Sequence, residues 1–266
     1  KRSRRKDNPE ARMSIGDHLR ELRQRLFVSA AGVMVMTVIG YLVYERAFAL
    51  ITRPIEQANA KGAHLTLNFD TILASFDMKL EVSIWLGILF SSPLWIYEFW
   101  AFVGPGMTRK EKAYTWAYGT AGLFLFLAGA ALGIWVMPRA VAILTGFIPN
   151  GPTAGVIGAN LYLSFIMRMV LAFGIAFLLP EVLVALNMLG LMQGKTMLKG
   201  WRWAIVGIVT FMAIVNPMPD PWSMIFMSVP IAGLYFLACF ISIRHDKRVE
   251  RKRAQLDAEL EAALAE

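Results

Sequence analysis

Cysteine is nearly absent: Cys239 is the single one among 266 residues, so no disulfide can form within the chain. Histidine is scarce as well. His18, His64 and His245 fall in three separate polar segments with no metal-ligand spacing, so no metal centre and no cofactor is expected. No G-x-S-x-G turn is present, which removes one common hydrolase signature. The run Gly190 to Thr196 imitates a phosphate loop but has Leu189 where the first glycine belongs. Gly190 and Gly194 are expected instead to end one helix and begin a turn. No catalytic residue is predicted, and the chain reads as a non-enzyme. An immediate apolar core after the basic start is also missing, so the first apolar run is expected to be an uncleaved signal-anchor.

What is abundant is apolar sequence. Hydrophobic residues make up 57% of the chain, against about 45–50% in soluble domains. They are gathered into runs at roughly Leu26–Tyr44, Val82–Val103, Thr115–Met137, Leu161–Leu189, Trp203–Val215 and Trp222–Ile243. A spanning helix needs about 20 such residues. The expected fold is all-α, a polytopic membrane protein of six transmembrane helices with the fifth and sixth short. Three parts are expected: a basic tail at 1–13, the membrane domain at 14–243 and a C-terminal tail at 244–266.

The net charge of +8 reports topology. Residues 1–25 carry nine Lys and Arg, 104–114 three, 190–202 three and 244–266 six, leaving few of the 27 for the alternate segments. The positive-inside rule therefore puts both termini in the cytoplasm. No zinc-finger or RNP-like motif supports binding to nucleic acid. Segment 45–81 is expected to hold short helices, and the Gly- and Pro-rich segment 138–160 to be loop.

Polar residues near the membrane are the candidates for function. Ser14 and Asp17 suggest a helix cap. Ile15, Leu19, Leu22 and Leu26 make one apolar stripe, predicting an amphipathic surface helix before the first span. On it, Glu21 is either an i,i+4 partner of Arg25 or an acidic receiving point for a basic ligand. Thr108 and Glu111 look like a second cap, opening the third span. Phe102 anchors the preceding interfacial aromatic group. Arg168 is placed to snorkel from the fourth span. Glu181, after Pro180, is a carboxylate at depth and a functional candidate by its cost. Asn216, Pro217 and Asp220 make a rigid turn, with Pro221 at the first position of the last helix.

In order and spacing these residues resemble the TatC family, the receptor subunit of the twin-arginine protein translocase. The resemblance rests on His18-Leu-Arg-Glu21-Leu-Arg23-Gln-Arg-Leu26, Pro54, the series Pro93, Tyr97, Trp100, Phe102, Pro105 and Glu111, then Tyr162-Leu-Ser-Phe165, Ala172 to Phe177, and Pro217 to Asp220. It implies binding of paired-arginine signal peptides at the cytoplasmic face of the bacterial plasma membrane. It also implies export of folded proteins driven by the protonmotive force, self-association, and partnership with TatA- and TatB-type single-span subunits. Glu21 and Glu111 would receive the arginines, with Arg23 and Phe102 on the same surface. Pro54, Asn216, Pro217 and Asp220 would be structural turns or docking points. The sequence departs from the family where its fourth-span glutamate would stand: that position is Leu178, and Glu181 follows the proline. Two other readings fit the bare residues, a proton-coupled small-molecule transporter using Glu181 and a membrane scaffold that binds no signal peptide.

Overall fold

The structure is a computed structural model that describes residues 15–60, 65–103, 111–145, 155–215 and 221–265. In chain order its elements are α1 (Ile15–Leu42), α2 (Tyr44–Ala60), β1 (Leu65–Asn68), α3 (Ala74–Phe90), α4 (Ser92–Val103), α5 (Glu111–Thr145), β2 (Gly155–Gly158), α6 (Ala159–Met188), α7 (Gly194–Lys199), α8 (Trp201–Val215) and α9 (Pro221–Ala265). Two compact units divide the chain within α6, at Leu171 and Ala172.

Among the described residues four helices are long and apolar enough to cross a bilayer, α1, α5, α6 and α9, and the bent pair α3–α4 makes a fifth candidate. Helix α8 is apolar but has 15 residues, about 22 Å at 1.5 Å per residue against a hydrocarbon core of roughly 30 Å. It is short, as its composition indicates. The last apolar run is short only in its apolar part, because α9 continues for 45 residues. Lys, Arg, Ala, Leu and Glu are good helix formers, so the polar tail simply prolongs the helix.

In the first unit, α1 is one continuous helix of 28 residues. The amphipathic stretch expected to lie apart is therefore in line with the apolar one, since neither Gly nor Pro interrupts residues 17–31. Helix α1 packs on α3 through small residues. A Cβ on Gly40 would lie 2.6 Å from the Ser83 carbonyl oxygen, and one on Gly87 would meet the Thr37 backbone nitrogen at 2.9 Å. Apolar tails surround spanning helices in lipid, so close backbone approach of this kind supplies the packing that draws them together.

The second apolar run is not one straight helix. It bends by 53° between α3 and α4, at Ser91-Ser92-Pro93, because Pro93 has no N–H for the ladder. The freed polar groups find partners: Ser91 N donates to Gly87 O at 2.9 Å and the Trp95 indole to Ile88 O at 3.0 Å.

The segments between spans are more ordered than their composition suggests. Residues 44–60 form α2, with Pro54 buried inside it. The turn expected at Pro54 is thus a mid-helix position. Residues 138–145, expected to be loop, continue α5 past Pro138. Residues 155–158 pair with β1 in parallel, Leu65 opposite Gly155 and Asn68 opposite Gly158. The Asn59 side chain brackets this ribbon, donating to Leu65 O at 2.9 Å and accepting from Leu65 N at 2.8 Å. The Tyr162 hydroxyl donates to Ile51 O at 2.8 Å, tying α6 to α2. These backbone pairings between distant segments leave no periodic trace in either one.

In the second unit, Gly190 ends α6 with φ of 74°, the left-handed cap that glycine adopts without strain. Leu191 N closes the motif onto Leu186 O at 3.0 Å. Gly194 then begins α7, so Gly190 ends a helix as the sequence indicates while Gly194 opens a helix rather than a turn. Asp246 of α9 accepts from Gly194 N at 2.7 Å and from the Asn187 side chain at 2.9 Å, pinning the 190–194 turn to α9. The Tyr235 hydroxyl donates to Met197 O at 2.6 Å.

Candidate functional site

One face of α4 looks onto α1. Leu94, Glu98 and Phe102 recur every four residues, so they lie on one stripe of the helix. Their partners on α1 recur every seven. The Leu94 side chain fills the space that a Cβ on Gly32 would take. Glu98 meets Arg25. Phe102 stacks on His18 with ring centroids 4.5 Å apart and planes at 16°. The two helices thus run antiparallel along this seam, apolar at one end and polar at the other. Aromatic contacts hold the back of α4 to α5: Trp95 meets Phe126 edge-on at 5.2 Å, and Trp100 lies 5.1 Å from Tyr118.

The polar part of the seam is built around one guanidinium. Arg25 donates from Nε to Glu21 Oε1 at 3.0 Å, from Nη2 to the same oxygen at 2.7 Å, and from Nη1 to Glu98 Oε2 at 2.7 Å. Hydrogen bonds between ionised groups are shorter and stronger than neutral ones, and the planar guanidinium fork suits them. The three side chains are 26% (Arg25), 23% (Glu21) and 16% (Glu98) exposed. The cluster is therefore sheltered from full screening yet reachable from solvent. Two carboxylates around one cation leave it one negative charge in excess, on a chain of strongly positive balance.

The i,i+4 pairing of Glu21 with Arg25 is as the helix spacing predicts. Glu98 was not among the sequence candidates. Its signal was there: it stands four residues from both Leu94 and Phe102, on the stripe that α1 covers. Arg23 is exposed and lies about 200° around the helix from Glu21, so it is outside the cluster. Glu111 is the first residue of α5, but its side chain is outside the described residues. So are Ser14, Thr108, Asn216, Pro217 and Asp220. Helix α9 does begin at Pro221.

Among the described residues Glu181 is the one fully buried carboxylate, at 6% exposure. Arg168 is exposed on α6. A further carboxylate that sequence reasoning passed over is Glu81 on α3, which accepts from the Ser164 hydroxyl at 2.6 Å. Expected at the border of an outer segment, it lies within α3 because that helix begins at Ala74.

The second unit carries an apolar groove of about 500 Å³, lined among others by Leu183, Met197, Ala204, Gly207, Phe211 and Ile231. Gly200, Ala204 and Gly207 share a face of α8 or its start, and a Cβ at Gly207 would touch nothing within 4 Å. No group of three or more His, Cys, Asp or Glu among the described residues is placed to hold a metal.

Comparison with known proteins agrees with this architecture. The family model described as Sec-independent protein translocase protein (TatC) matches residues 17–230. A protein of Xylanimonas cellulosilytica named Sec-independent protein translocase protein TatC is 42% identical over 244 residues, 91% of this chain and 88% of the relative. A protein of the same name from Rothia mucilaginosa is 37% identical, over 95% of this chain and 86% of the relative. A crystal structure of the twin-arginine translocase receptor TatC in DDM superimposes with a TM-score of 0.71 at 27% identity, covering 85% of this chain and 99% of that one. With apolar helices that cross the bilayer several times and a family match over most of its length, this chain is a multi-pass membrane protein and a member of the TatC family of Sec-independent protein translocase proteins.

Proposed function

We propose that the chain is the receptor of a twin-arginine translocase. It takes up paired-arginine signal peptides at the cytoplasmic face of the bacterial plasma membrane and supports export of folded proteins driven by the protonmotive force. In this reading the chain crosses the bilayer six times with both termini inside. Glu21 and Glu111 receive the two guanidinium groups and Phe102 belongs to the same surface, whereas Arg23, about 200° around α1 from Glu21, does not.

The observation that carries the reading is the seam between α1 and α4. Glu21 and Glu98 already converge on a guanidinium there, with an aromatic stack one turn away. Such a surface favours arginine over lysine, because an ammonium is a point charge and cannot match the fork. It also sits within a positive field that discourages unspecific basic peptides.

Single-span partners of the TatA and TatB type fit the second unit. The groove beside α8 presents small residues to the bilayer, the feature that lets a second helix approach closely. In this topology the groove lies toward the cytoplasmic end of α8, where Met192, Thr196 and Gly200 line it. Asn216, Pro217 and Asp220, like Pro54, belong to the opposite, outer side as further docking points.

Site-specific crosslinking in native membranes tests the receptor reading. Photoreactive residues within 14–25 and 104–112 are expected to capture a paired-arginine leader and not a paired-lysine one. Equal capture of both, or capture only at the 138–160 side, overturns it.

A further inference from the structure

The receptor reading leaves Arg25 without a role. It is nevertheless the most fully engaged cation among the described residues, with all three guanidinium nitrogens donating to carboxylates. The group it presents is chemically the same as the one a paired-arginine leader would bring. Glu21, read above as a receiving carboxylate, therefore already has one oxygen, Oε1, engaged in the chain on its own. Glu98 completes the hold from the other helix.

We propose that Arg25 is a resident guanidinium that keeps Glu21 and Glu98 occupied in the unliganded protein, and that an arginine of the leader displaces it. This rests on the receptor reading and adds a regulation of the same site. The carboxylates are the shared resource. A ligand arginine that grips both oxygens of Glu21 with its fork competes for Oε1, where two contacts of Arg25 converge, and taking it leaves Arg25 held by Glu98 alone. The Arg25 side chain is long and a quarter exposed, so it can swing toward water without moving α1. The His18–Phe102 stack, three residues before Glu21 and four after Glu98, offers a flat face to whichever guanidinium is released or arriving.

Two consequences follow from exchange. The apparent affinity for a leader is lowered by the fraction of time Arg25 leaves the site open. Discrimination is raised, because an ammonium cannot replace the fork of contacts that Arg25 gives up. The resident arginine is thus a specificity device as well as a brake.

The test uses the full chain in nanodiscs and labelled leader peptides carrying either two arginines or two lysines. Exchange predicts that Arg25→Gln binds the two-arginine peptide about tenfold more tightly than the unmodified chain, and that the arginine-to-lysine preference narrows. Adding Glu98→Gln to Arg25→Gln removes most of that gain. If Arg25→Gln binds equally or more weakly while eluting as a folded species, Arg25 is a brace for Glu21 and the exchange is wrong. If Arg25→Gln does not fold, Arg25→Lys replaces it. Its single-point contact predicts about threefold tighter binding, and unchanged or weaker binding again overturns exchange. If the unmodified chain does not prefer the two-arginine peptide at all, the receptor reading itself fails, a result distinct from the others.

Discussion

Arg25 on α1 and Glu98 on α4, 73 residues apart in sequence, meet Nη1 to Oε2 at 2.7 Å. That contact joins the first helix to the segment beyond the 53° bend of the α3–α4 pair. Without the bend at Pro93, the Glu98 stripe would be carried off along the axis of α3. The proline that breaks one helix thus brings the acidic cluster together.

Glu98→Gln keeps the shape of the side chain and removes its charge. A hydrogen bond to a charged group is worth roughly 1.5–3 kcal/mol, and partial solvent screening brings the expected loss to about 1 kcal/mol. The variant is expected to unfold at a lower temperature in detergent. The difference should shrink when Arg25 is also replaced, since the two then have no pairing left to lose.

Gly87→Ala puts a methyl against the backbone of Thr37, which cannot yield as a flexible side-chain tip can. Overpacking of a tight contact costs about 1–3 kcal/mol. Reduced amounts of inserted protein and faster proteolysis in membranes are expected. Gly207→Ala, where an added Cβ meets open space, should insert normally and serve as the control.

Asp246→Ala removes the acceptor for Gly194 N and for the Asn187 side chain. Loss of a capping acceptor costs about 1 kcal/mol, and here the turn is also released from α9. Amide hydrogen exchange across residues 190–199 is expected to rise several-fold, with exchange in α1 unchanged.

Gly207→Leu fills the groove beside α8. The chain is expected to remain folded, while recovery of a TatA- or TatB-type partner on affinity purification falls severalfold. Full recovery of the partner would place docking elsewhere.

Much of the helical architecture is written in local pattern. The apolar runs, the Gly190 cap and the Glu21–Arg25 pair each depend on neighbours within a few residues. What local pattern does not carry is the encounter of distant segments. Residues 65–68 and 155–158 contain no strand signal strong enough to announce a ribbon, because only their mutual hydrogen bonds and the Asn59 bracket create it. Glu98 reads as one polar residue among interfacial aromatics until α1 is laid along its stripe. Pro54 and Pro138 look like breakers, yet in a spanning protein neighbouring helices and polar side chains tolerate proline inside a helix. The tail from Arg244 onward lacks an apolar stripe, and it is helical as the continuation of α9.

The most direct test is the affinity of the purified chain for a paired-arginine leader before and after Glu21→Gln. The account predicts that this single exchange of oxygen for nitrogen weakens the two-arginine peptide at least tenfold and erases its advantage over the two-lysine peptide, with thermal stability lowered to an extent similar to that of Glu98→Gln. Undiminished, arginine-selective binding by Glu21→Gln would contradict it.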